Sequence, residues 1–225
     1  MFKRLLCGAA LLVAANISNA NVITQDFTVD SQFTDINEVI SFDLFDDEGG
    51  TLILESVMFS LNAFVTGSAL IENRNVDSAM INATLSADVL LSDALSGSLI
   101  SLAPSVSEMS SVGGFDGTVD FGGTSGLTFL NMNANESGQF MLVDMTSLAD
   151  YIGVGTSTLD FIVQATSDVI GGGNLTSELL TNAGADIRVV YTYSEELVPS
   201  VVSEPAYIAL LGMGLIAFAR LRRRA

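Results

Sequence analysis

The chain has 225 residues, 49% of them hydrophobic, and carries a formal charge of -18 from 26 acidic and 8 basic side chains, with one cysteine and no histidine. A field of that sign repels nucleic acid and anionic lipid, so neither is expected as a partner of the bulk of the chain. The missing imidazole excludes a Ser-His-Asp relay and histidine-ligated zinc.

Those totals mix three unlike parts. Residues 1–20, "MFKRLLCGAALLVAANISNA", begin with Lys3 and Arg4, continue through an apolar run from Leu5 to Ala15, and close on Ser18-Asn19-Ala20. That order of features is a secretory signal peptide, cut after Ala20 by signal peptidase. A membrane anchor would need about 20 apolar residues. Cys7 lies inside this leader, where it serves as a small hydrophobe, so the mature chain has no thiol chemistry and no disulfide.

Residues 21–198 form an acidic domain. From residue 21 to 203 there are 25 acidic side chains against Arg74 and Arg188 alone, a formal -23. The acids are dispersed among Val, Ile, Leu and Phe rather than blocked together, which is the pattern of a folded domain with a core and not of an acidic tail.

Strand signals dominate this part. "VITQDFTV" and "EVISFDLF" come first, followed by the turn-rich "DDEGG". "TLILESVMFSLNAFVTGSALI" then places Ile53, Val57, Phe59, Leu61, Ala63 and Val65 on one face at a period of two, with Glu55 interrupting. Ser56, Met58, Ser60, Asn62 and Phe64 fall on the other, the signature of a half-buried strand. "AMINATLSADVLL" is the next strand candidate, although the stretch from Asn75 to Ser98 also admits a short helix. "GSLISL", "GTVDF" and "GQFMLVDM" follow, separated by "GGFDG", "GGTSG" and "NANESG" as turns. "GTSTLDFIVQAT" alternates Leu159, Phe161, Val163 and Ala165 with polar neighbours, and after "GGGN" the final strand "DIRVVYTY" alternates Ile187, Val189, Tyr191 and Tyr193. Short strands between such turns predict an all-β antiparallel sandwich, with a jelly roll as one arrangement of it.

The third part, residues 199–225, is different again. Ala206 to Ala219 is an uncharged run of 14 residues, followed by Arg220, Arg222, Arg223 and Arg224. As a helix this run spans about 21 Å, short of a hydrocarbon core of about 30 Å, and arginine stems extend it by snorkelling. The basic stop places the tail on the cytoplasmic side and the acidic domain outside.

Glu204-Pro205, then "AYIALLGMGLIAFA", then "RLRRR" resembles the PEP-CTERM sorting signal of Gram-negative bacteria, with Ser203 where the usual pattern has its first proline. The resemblance implies processing by an exosortase, with Glu204 and Pro205 as recognition residues. It also implies transient membrane association of the precursor, and a destination at the cell surface or in an exopolysaccharide matrix. The domain itself resembles the choice-of-anchor E domain. The likeness is carried by "FDLFDDEGGTLILESVMFSLNAFVTGSALIEN", "YIGVGTSTLDFIVQATSDVIGGGN" and "DIRVVYTYS", spans most of residues 24–194, and implies no enzymatic activity.

The residues point to little chemistry. No lysine survives leader removal, so Ser-Lys catalysis is excluded, and "GVGTST" lacks the spacing of a phosphate loop. Carboxylates alone can run a glycosidase, but 25 scattered acids single out no pair. Asp43, Asp46, Asp47 and Glu48 in "DLFDDEGG" are candidate calcium ligands; the same residues are also what an exposed acidic turn looks like. No other cofactor is indicated. The function expected is that of an exported, matrix-associated structural protein. The alternatives are an extracellular glycan- or calcium-binding module and a secreted carboxylate-based glycan hydrolase.

Overall fold

The computed structural model describes residues 20–196, and these form ten strands: β1 (Asn21–Phe33), β2 (Ile36–Asp43), β3 (Leu52–Asn73), β4 (Ala79–Asp93), β5 (Gly97–Leu102), β6 (Ser105–Val112), β7 (Gly126–Leu142), β8 (Thr156–Ala165), β9 (Asp168–Gly171) and β10 (Leu175–Glu195). A single helical turn, α1 (Met145–Leu148), runs into a 3-10 turn at Ala149–Tyr151 before β8. Asp144 caps α1, its carboxylate accepting from Ser147 N at 3.2 Å.

One sheet has the order β1-β10-β3-β7 and the other β2-β8-β4-β5, with β6 and β9 added along β4. All the ladders are antiparallel. With β6 and β9 set aside, the first of the remaining eight strands pairs with the last, the second with the second-last, the third with the sixth and the fourth with the fifth. That is one long antiparallel hairpin rolled into two facing sheets, the topology of a jelly roll. The sandwich is thus confirmed, and of the arrangements open to it the strand pairing selects this one.

The core follows from side-chain alternation. Val57, Phe59, Leu61, Ala63 and Val65 of β3 are all buried, and face Leu159, Phe161 and Val163 of β8 together with Val89 and Leu91 of β4. A second, smaller cluster gathers Ala69, Ile71, Ile81, Ala83, Leu85, Val112 and Met132 where the long strands run on past the main core. β3 has 22 residues and β10 has 21, about 70 Å of chain each, and they stay paired from Leu52↔Glu195 to Asn73↔Leu175. That one ribbon serves both clusters.

Four sequence expectations are corrected here. The strands are not uniformly short: "NANESG", expected as a turn, lies within β7, where Asn135 and Glu136 pair with Phe64 and Ala63. "GTVDF", expected as a strand, is loop, because Asp116 and Asp120 turn their carboxylates onto the backbone N–H groups of Thr118 and Gly122. Ile53 is exposed and Leu54 is buried, since the register slips between Thr192 and Tyr193 and leaves Glu55 as the extra residue of a bulge; one added residue exchanges the faces of the strand. Ala165 is exposed at the end of β8 instead of facing the core.

Candidate functional site

The acidic turn sits between β2 and β3. Glu48, Gly49 and Gly50 have positive φ values of 51°, 73° and 90°, so the tight reversal uses two residues that carry no Cβ. Asp46 Oδ1 accepts from Glu48 N at 3.0 Å and Asp47 Oδ1 from Gly49 N at 3.1 Å, while Gly50 N and Leu52 N both donate to Asp47 O at 3.0 Å. Asp43 closes β2: its N–H donates to Gln25 Oε1 at 2.8 Å, and its carbonyl accepts from Gln25 Nε2 at 2.9 Å and from the Tyr191 hydroxyl at 2.8 Å. The candidate calcium ligands therefore share one segment, with Asp46 and Asp47 acting as turn caps. Among the described residues, no three His, Cys, Asp or Glu side chains are gathered so as to hold a metal ion. Ala20 is exposed, and β1 begins at the next residue. Glu204, Pro205, Arg220, Arg222, Arg223, Arg224 and the apolar run 206–219 lie outside the described residues.

A concavity of about 980 Å³ lies on the outer face of the β1-β10-β3-β7 sheet. Because the odd-numbered residues of β3 from Val57 to Val65 point inward, its even-numbered residues line this groove in cross-strand rungs. Thr28, Asp186, Asn62 and Ser137 stand in register as one rung, and Asp26, Arg188, Ser60 and Gln139 as the next. A third rung turns apolar, with Thr24, Val190, Met58 and Met141. Hydrogen bonds run along the rungs: Thr28 Oγ1 donates to Asp186 Oδ1 at 3.2 Å, and Ser137 Oγ to Asn62 Oδ1 at 2.8 Å. Arg188 Nε donates to Asp26 Oδ1 at 2.5 Å, and that bond, with the attraction of the carboxylate, raises the guanidinium above its ordinary pKa. On the other side of the first rung the ring of Phe64 lies across bare backbone: a Cβ at Gly184 would stand 2.5 Å from Phe64 Cζ and 2.6 Å from Val29 O. Sequence reading placed Met58 and Phe64 on this face; it missed the groove, because alternation within one strand does not say which strands stand beside it.

Two buried polar clusters brace the domain away from the groove. At the end of β3, Asn73 is fully buried and its Nδ2 donates to Asp77 O at 2.9 Å and Gly113 O at 2.7 Å. Glu72, also at 0% exposure, accepts from Phe121 N at 2.8 Å through Oε2, while its Oε1 meets no donor among the described residues. Asp116 in the covering loop has its pKa held below the usual carboxylate value, chiefly by the N–H of Thr118. At the other end Asp93, Ser96 and Tyr151 form a closed set. Burial, together with the hydrogen bond to Asp93, raises the Tyr151 phenol far above its ordinary value, and burial raises Tyr191 likewise. Tyr191 is buried, as its place on the inward face of the last strand predicts.

No family model matches the chain, and no curated protein matches it. Among solved structures it is similar to the infectious bursal disease virus Gx strain, at 11% identity over 88% of this chain and 43% of that chain with a TM-score of 0.19. The VP2 subviral particle of that virus matches at 11% identity over 92% of this chain and 50% of that one, with a TM-score of 0.20. The chain thus spans about half the length of the viral chains it matches. At such TM-scores the likeness carries nothing about this chain's role; the two-sheet architecture stands on its own strand pairing.

Proposed function

We propose that the chain is exported, cut at both ends, and retained at the cell surface or in an exopolysaccharide matrix as a structural component that performs no catalysis. The supporting observation is the placement of the fold. The strands occupy Asn21 to Glu195, so the jelly roll fills the span between the residues read as a secretory leader and those read as an exosortase signal. Among the described residues, β1 pairs with β10 from Asn21↔Tyr193 to Phe33↔Asn182, with a bulge between Val29 and Gln32. A body that closes on itself between two removable segments is what a sorted surface protein needs.

The test is the intact mass of the protein recovered from its native host, with and without the exosortase. The expected product has lost residues 1–20 and the arginine cluster, and Glu204→Ala accumulates as a membrane-bound precursor. Normal release of that variant, or surface protein still carrying Arg222 to Arg224, would overturn the sorting assignment.

A further inference from the structure

We propose that the groove across β1, β10, β3 and β7 binds a neutral polysaccharide laid over the strands. This deepens the matrix-associated reading and rests on it for where the polymer is met; the geometry stands apart from it. The lining is amphipathic in the way a sugar ring is. Two rungs offer hydroxyl, amide and charged groups that can exchange hydrogen bonds with ring hydroxyls. The third offers Met58 and Val190, and Phe64 lies just beyond the first; these surfaces suit C–H faces. Four strands are about 14 Å across at the usual strand spacing. With a volume of about 980 Å³, the groove accepts more than one ring, and hence an internal stretch of a chain.

Charge selects among polymers. Asp26 and Asp186 outnumber Arg188 within the groove, on a chain of formal charge -18, so an anionic polysaccharide is repelled. Arg188 is already engaged by Asp26 and is no free anion clamp. A protein partner would want a desolvated apolar or aromatic centre, whereas the middle of this groove is the ion pair, Ser60 and Asn62. The rung hydrogen bonds hold several of the lining side chains in place before any ligand arrives, which lowers the ordering cost of binding.

The experiment is affinity electrophoresis of the full chain, in mild detergent, through gels containing dextran, a soluble β-1,3-glucan, hydroxyethyl cellulose or galactomannan, with alginate as the anionic comparison. At least one neutral polymer is expected to retard the protein while alginate does not. Asn62→Ala and Gln139→Ala should each weaken that binding about tenfold. Ser60→Trp should abolish it by filling the groove floor, while Val39→Ser on the opposite sheet leaves it unchanged. Should Ser60→Trp fail to fold, Gln139→Ala on the exposed strand reads the same question. The proposal is overturned if no neutral polymer retards the chain, if alginate alone does, or if Ser60→Trp and Gln139→Ala bind as the parent does. These outcomes are independent of exosortase processing, so either reading can fail without the other.

Discussion

The Tyr151 phenol donates to the Asp93 carboxylate, joining segments 58 residues apart and fastening the turn before β8 to the β4–β5 hairpin. Ser96 completes the set, its N–H donating to Asp93 Oδ1 at 2.5 Å and its hydroxyl lying 2.7 Å from the phenol. Asp93 is 5% exposed and Tyr151 not at all, so the carboxylate depends on these donors. Tyr151→Phe keeps the ring against Phe42 and Phe59 but removes one donor. A loss of about 2 kcal/mol is expected in denaturant unfolding; an unchanged midpoint would show that the bond adds nothing.

Alkali should find the same region. Tyr151 and Tyr191 both have raised phenol pKa values, burial being the largest cause for each. Such a group binds its proton more tightly in the folded state than in the unfolded chain. Its contribution to stability is therefore fully present below the unfolded value of 10.0 and is lost as pH climbs through the folded value. Ultraviolet titration should show these two phenols ionising together with the loss of near-ultraviolet circular dichroism. Separate, reversible ionisation near pH 10 with tertiary structure intact would contradict their burial.

Glu72→Gln should raise the melting temperature, by about 1 kcal/mol of stability. The amide oxygen still accepts from Phe121 N, and a neutral group replaces a buried carboxylate whose Oε1 has no donor among the described residues. Glu72→Ala should instead lose about 1–3 kcal/mol, since Phe121 N is left unpaired. A large fall for the Gln variant would mean that the carboxylate is matched by a cation, and calcium titration of the parent would then show a shift in melting.

At Gly184 the expected cost is steric. Alanine there meets Phe64 and Val29 O, and overpacking of this kind costs about 1–3 kcal/mol. Phe64→Ala in the same chain should recover part of the loss, because only the carbonyl contact remains. A double-mutant cycle with no coupling would remove Phe64 from its place over the glycine.

Much of the sheet was legible because burial follows a period of two. Val57 to Val65, Leu159 to Val163 and Ile187 to Tyr191 announce their inward faces in the sequence, and the structure buries them. The signal failed wherever something other than alternation decided. The bulge at Glu55 reverses the face of Ile53, and only the partner strand reveals it. "NANESG" reads as a turn by composition, yet β3 supplies its backbone partners and keeps it extended. β6, "SVSEMSSV", has almost no apolar alternation; it is a strand because β4 pairs with it from Ala79↔Val112 to Ser86↔Ser105. The acidic turn was readable from its glycines. The groove was not, since its rungs draw on four strands scattered from Thr24 to Val190.

The pairing of first strand with last has a consequence for synthesis. β1 finds its neighbour only when β10 exists, some 150 residues later by the register Val29↔Ala185, and architectures dominated by such distant partners close slowly. The β2–β8, β3–β7 and β4–β5 ladders can form earlier, but β1 stays unpaired until the last strand is made. The same topology that joins the first and last strands of the sandwich in one ladder thus postpones closure of the first sheet until synthesis has passed Ala185.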